Sequence, residues 1–230
     1  MGKSTGTSMK LFPHKSYLGA AVALCSAVGL AACSSEKGDW GQIVNIVTAA
    51  FGESPGVTIQ QAGAIPFATI GIRIGDNAEG ILVLASTNNG QRLWTSASHI
   101  VVLTREGRVL RTAGLPHNRT DMRLLKGDGG APPLNGSAET LWEEDFGDLH
   151  QYSILVSCRS TVKGTDGVKN FTSVIPTIRV DEDCRSDQLD WSFTNSYWIS
   201  PKDGLTWKSV QYISPKLDPL TVEILRPPST

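Results

Sequence analysis

The residues able to do chemistry are few and mostly far apart. Glu143, Glu144 and Asp145 form the densest run of carboxylates, and two carboxyl groups are what glycoside hydrolysis requires. Neighbouring residues on a strand point to opposite faces, however, so the run predicts a charged strand edge rather than a converging pair. His117 and Asp121 have a spacing that permits an acid-base pair, but they stand in a polar stretch that favours a solvated histidine. Asp181, Asp183 and Asp187 space oxygen ligands as calcium loops do, yet the central glycine and terminal acid of such loops are missing, and an acidic solvated loop is expected. The sequence contains no Gly-x-Ser-x-Gly elbow, no His-Glu-x-x-His and no phosphate-cradling glycine loop. We therefore expect no catalytic residues, no metal site and no cofactor.

Two cysteine chemistries remain. An apolar run within residues 18–35 ends in Leu30-Ala31-Ala32-Cys33, and Lys3, Lys10 and Lys15 precede it with no acidic residue. That is a secretory signal with small residues directly before a cysteine, as in a bacterial lipobox, where the sulfur receives a diacylglycerol and the new amine is acylated. The run is shorter than the roughly 20 residues a membrane-spanning helix needs. Several acyl chains on one residue anchor stably, since each buried methylene contributes about 0.8 kcal/mol. Cleavage before Cys33 leaves 198 of the 230 residues, and loss of the three leader lysines takes the net charge from −1 to −4. No basic stripe follows, which excludes a nucleic-acid partner. Cys158 and Cys184 are then the two remaining exported thiols, and they are expected to pair.

The elements that must carry these residues change character along the chain. Residues 33–38 read as a lipidated tether. Asp39 and Gln42 stand in capping-box positions ahead of Trp40, Ile43, Val44, Val47 and Phe51, which predicts one helix over 40–51. Beyond Val57 the period becomes two. Strands are expected over 65–74, 80–87 and 91–95, with Asn89-Gly90 turning a hairpin, and over 99–105 and 108–113, with Glu106-Gly107 doing the same and Leu103 facing Leu110. Residues 127–136, rich in glycine and proline, predict a long loop or an internal boundary. Further strands are expected over 139–146, 151–159, a turn at 163–167, then 171–180, 205–213 and 220–225. The clearest strand carries Leu189, Trp191, Phe193, Asn195, Tyr197 and Ile199 on one face, which predicts a core face, and Trp198 on the other. Residues 39–230 thus read as a single mainly β domain, an antiparallel barrel or sandwich of about ten strands with one N-terminal helix.

Residues 195–215 (NSYWISPKDGLTWKSVQYISP), with Leu220 to Pro227 after them, resemble the C-terminal signature of the YjbF/GfcB-like lipoproteins of exopolysaccharide and group-four capsule loci. Gly107-Arg-Val-Leu-Arg-Thr-Ala-Gly-Leu-Pro116 is similar to a second block of that family, and the lipobox is the third shared feature. The resemblance implies an outer-membrane lipoprotein of largely β structure, facing the periplasm and acting without catalysis in polysaccharide production or secretion. It also implies a partner encoded nearby, such as an outer-membrane β-barrel, and contact with the polysaccharide as a further role. The alternative is a periplasmic protein that modifies or binds the polymer. Tyr197, Trp198 and Trp207 flank the Pro201 to Gly204 turn and are the candidate binding residues, because flat aromatic faces stack on sugar rings.

Overall fold

The computed structural model describes residues 57–229. Cys33 and the helix expected over 40–51 lie outside the described residues.

The described chain opens on a short helix, α1 (Ile59–Gly63), rather than on a strand. Its start is a capping box: Thr58 Oγ1 accepts the Gln61 N–H at 3.2 Å, and Gln61 Oε1 accepts the Thr58 N–H at 2.9 Å. Twelve strands follow: β1 (Thr69–Ile74), β2 (Gly80–Asn88), β3 (Gln91–Thr95), β4 (Val101–Arg105), β5 (Arg108–Ala113), β6 (Asp121–Lys126), β7 (Ser137–Phe146), β8 (Gln151–Asn170), β9 (Ser173–Ser186), β10 (Trp191–Ile199), β11 (Thr206–Gln211) and β12 (Leu220–Arg226). They form one antiparallel sheet in the order β5-β4-β3-β2-β1-β12-β11-β10-β9-β8-β7-β6, in which every strand pairs with its neighbours in sequence except β5 with β6, and β1 pairs with β12.

The two terminal strands, β5 and β6, curl toward each other. The Thr112 N–H reaches the Arg119 carbonyl at 2.9 Å, and Arg111 Nε meets Asp121 Oδ1 at 2.8 Å across the gap. The sheet is therefore a nearly closed barrel. Its wall shows the two-residue alternation that puts one face inside. On β8, Ile154, Val156, Cys158 and Ser160 are buried while Leu155, Ser157 and Arg159 are exposed. On β9, Val180, Glu182, Cys184 and Ser186 are buried. Apolar residues form two clusters, one from β1 to β4 and β12 (Ile70, Leu82, Trp94, Val102, Leu220, Val222) and one from β6 to β8 and β10 (Met122, Trp142, Phe146, Val156, Phe193). The outer face of the wall carries charged residues such as Arg159, Asp183 and Arg185, where a membrane-spanning barrel carries an apolar band.

Several expectations need correction. Asp181 and Asp183 are not in a loop: they lie on the outward face of β9, where Asp181 accepts from Arg179 and Ser196 and Asp183 from Thr194. Residues 163–167 do not turn the chain. The ladder between β8 and β9 runs through them with a bulge between Val162 and Gly164, and the turn comes at 171–172, where Phe171 takes φ 48°. Gly164, with φ 127°, serves the bulge, and Asp166 stands in regular register opposite Thr177. Leu103 does not face Leu110, because a bulge after Leu103 shifts the register and pairs Leu103 with Arg111. Strand β6, in a stretch read as polar loop, was not anticipated. Residues 127–136 join β6 to β7, which pair with each other.

Candidate functional site

Charged groups occupy the middle of the barrel. Arg108, the first residue of β5, is 2% exposed and forms two parallel hydrogen bonds to Glu182 of β9, at 2.8 and 2.7 Å. Its Nε donates to the Gly130 carbonyl at 3.1 Å, and its guanidinium lies 4.6 Å from the Trp142 ring and 5.2 Å from the Tyr197 ring. Glu182 also accepts from Asn195 Nδ2 at 3.1 Å, Ser160 Oγ at 3.3 Å and Tyr197 Oη at 3.3 Å. Burial alone would push this carboxyl up, but Arg108 and the hydrogen bonds hold it below the ordinary value. Burial disfavours the Arg108 cation, yet Glu182 holds it charged. The Tyr197 phenol is pushed up chiefly by burial.

A second buried pair, Arg119 and Glu144, is less well served. Arg119 Nη2 lies 2.9 Å from Glu144 Oε2, but the alignment is not that of a hydrogen bond, and Arg119 Nε and Glu144 Oε2 are without hydrogen-bond partners. Arg119 donates instead to the carbonyls of Val109 and Tyr212, both at 2.8 Å. Burial pushes the Glu144 carboxyl up, against the pull of Arg119. The run of carboxylates thus divides as alternation requires. Glu144 points in, whereas Glu143 faces out to Arg123 and Asp145 accepts the Ser153 N–H at 2.7 Å. His117 pairs with Asp148 at 3.1 Å, not with Asp121, which is taken by Arg111.

Gln211 of β11 completes the interior. Its Oε1 accepts the Val109 N–H at 3.0 Å and its Nε2 donates to the Gly107 carbonyl at 2.8 Å. A side-chain amide thus makes the two bonds that a neighbouring strand would have made to the free edge of β5.

The three candidate binding aromatics fall in three different places. Tyr197 is fully buried inside the barrel. Trp198 faces out, half-buried, and its Nε1 donates to Asp166 Oδ2 at 2.7 Å. Arg179 and Lys208 lie 5.3 and 5.6 Å from its ring. Asp166 belongs to the part of the β8–β9 hairpin that runs past the end of β10. Nearer the tip of that hairpin, Asn170 Nδ2 donates to the Ile224 carbonyl of β12 at 2.6 Å, so the hairpin folds back along the wall. Trp198 is its latch, and its faces are taken by cations rather than open to a sugar. Replacement of Trp198 by Ala is expected to cost about 2 kcal/mol, one hydrogen bond and two cation-π contacts. Hydrogen exchange should speed up over 163–178 and not in β1 to β5. Trp207 packs against the first apolar cluster beside Leu205 and Leu84, lining an open cleft of about 840 Å³ with Phe67 and Arg226.

Cys158 and Cys184 are bonded to each other, on directly paired positions of β8 and β9. Glu182 lies beside them, but sulfurs joined in a disulfide are not thiolate ligands, so these three residues do not make a metal site.

Against known proteins, residues 44–225 match the family model described as group 4 capsule polysaccharide lipoprotein gfcB, YjbF. The uncharacterized lipoprotein YjbF of Escherichia coli K12 is 26% identical over 202 residues, covering 86% of this chain and 92% of that protein. The uncharacterized lipoprotein GfcB of the same organism is 23% identical over 213 residues, covering 87% and 95%. The crystal structure of the hypothetical lipoprotein YmcC from Escherichia coli K12 superposes with a TM-score of 0.61 at 22% identity, covering 76% of this chain and 91% of that one, and has the same fold.

Proposed function

Because this chain belongs to the group 4 capsule polysaccharide lipoprotein family, we propose that it is a lipid-anchored accessory factor in the export of a surface polysaccharide, working without catalysis of its own. Cys33 carries the lipid, the outer membrane is the site, and the barrel faces the periplasm. There it engages another exported protein of the same machinery, an outer-membrane β-barrel by preference. One observation carries the non-catalytic reading: the interior carboxylates Glu144 and Glu182 each lie against an arginine, so the barrel is filled by charges that answer one another and its outer wall is left for function.

The reading is tested in the native host. Deleting the gene should strip polysaccharide from the cell surface while polymer is still made, and a Cys33→Ser copy should fail to restore it although the protein folds. Incubating isolated polymer with the purified lipoprotein should leave chain length and substituents unchanged. Surface polymer at the wild-type level in the deletion strain overturns the proposal, and a shortened or modified polymer after incubation replaces it with an enzyme.

A further inference from the structure

Among the described residues the sheet stays unpaired between the terminal strands β5 and β6, and a cleft of about 380 Å³ lies there. We propose that this seam binds a stretch of carboxylate-bearing saccharide, an inference that rests on the polysaccharide reading above and names the chemistry of the polymer it would hold.

The lining decides the ligand class. Arg105, Arg111 and Arg123 stand exposed at the rim, and their guanidinium groups are far from saturated. A guanidinium has five N–H donors. Arg105 uses one, to the Asn89 carbonyl at 3.0 Å, and meets no carboxylate among the described residues. Arg111 uses Nε for Asp121, and Arg123 turns Nη2 to Glu143 with its Nε 3.8 Å from Asp121 Oδ2. The remaining donors are forks of the geometry that carboxylates accept in pairs. Glu106 and Asp121 of the lining and Glu143 beside Arg123 match the three rim arginines in number, so selection rests on the unused guanidinium donors, those of Arg105 above all, rather than on an excess of positive charge. The chain's net charge of −1 supplies no general attraction for polyanions.

The floor suits a sugar better than a bare anion. Leu103 and Leu124 are half-buried there, offering apolar surface to the C–H face of a ring between the charged rims. The wall behind is rigid. Gly130 takes φ 81° and a Cβ there would stand 2.6 Å from Trp142 Cη2, while its carbonyl holds Arg108. Arg108 is neutralised by Glu182 and braces the floor without facing the ligand. On its seam side β6 has no partner strand among the described residues, so backbone groups there are open to sugar hydroxyls. The seam lies across the barrel from the pairing of β1 with β12.

The experiment uses the full lipoprotein in detergent, titrated with tetragalacturonate and with neutral maltotetraose by calorimetry. Tetragalacturonate should bind saturably, more weakly as salt rises from 50 to about 500 mM, and maltotetraose should not. Arg105→Glu should weaken binding roughly tenfold, as loss of a charge-assisted bond does, and Arg105→Glu with Arg111→Glu should abolish it. Arg159→Glu, on the outer wall of β8, should bind as wild type. Equal binding of both oligosaccharides, unchanged binding in the double variant, or no binding of tetragalacturonate at all overturns the seam. The last result with surface polymer still lost in the deletion strain removes the seam alone and leaves the export role standing.

Discussion

Glu182→Gln is expected to destabilise the barrel by about 3–5 kcal/mol, because it leaves the Arg108 cation buried without its counter-charge. Glu182 is the hub of the interior, accepting from Arg108, Asn195, Ser160 and Tyr197. Glu144→Gln should cost less than half as much, since Glu144 Oε2 accepts no hydrogen bond and burial works against its charge. The pH dependence has opposite signs at the two sites. The folded pKa of Glu182 is lowered, so its stabilisation is complete above the ordinary carboxyl value of 4.5 and is lost as pH falls through the folded value. The folded pKa of Glu144 is raised, so its contribution is complete below 4.5 and is lost as pH rises through the folded value. Urea unfolding between pH 3 and 8 should therefore show an acid-side loss in the wild type that Glu182→Gln reduces. Glu144→Gln should instead steepen the gain in stability above pH 4.5. A Glu182→Gln protein within 1 kcal/mol of wild type at pH 7 would remove the pair from any structural role.

The double replacement Cys158→Ala with Cys184→Ala is expected to cost about 3.5 kcal/mol, the loop-entropy value for a sequence separation of 26 residues. The bridge joins facing positions deep in a long ladder, Cys158 to Cys184 with Ser157 opposite Arg185 and Arg159 opposite Asp183, so the hairpin itself should survive reduction. What should fall is cooperativity in the apolar cluster where the sulfurs pack with Phe193 and Val156. Unfolding with and without reductant measures the first effect, and near-ultraviolet dichroism of Trp142 and Trp191 reads the second. Equal stability with and without reductant would show that the bridge constrains nothing in the unfolded chain.

Much of the wall was legible because turns and alternation are local. Asn89-Gly90 and Glu106-Gly107 tolerate positive φ, and strands β3 and β5 begin and end where those turns and their alternation place them. The inward face of β10 follows from Phe193, Asn195, Tyr197 and Ile199 in the same way. The buried ion pairs were not legible, because charge is read as surface. A signal did exist: Val180, Glu182 and Cys184 stand two apart, so whatever buries the outer pair buries the glutamate between them. Helix α1 was announced by Thr58 and Gln61 three residues apart, a capping box easily passed over beside the strand pattern that follows. Tyr197, Trp198 and Trp207 were grouped by closeness in sequence. Alternation already divides Tyr197 from Trp198 across the two faces of β10, but the bulge between Trp198 and Ile199 that sets the register toward Trp207 on β11 is not visible in the sequence.

The pairing of β1 with β12 sets an order of events for the newborn protein. Every other rung joins strands adjacent in the chain and can form as they emerge, but Thr69 must wait for Arg226. Closing so long a loop is entropically costly and slow. Until Leu220 arrives, β1 and β11 each present an unpaired edge, the kind of edge that recruits other chains. A truncated product therefore keeps two open edges in the middle of its sheet, and completion of translation is written into the last strand to dock.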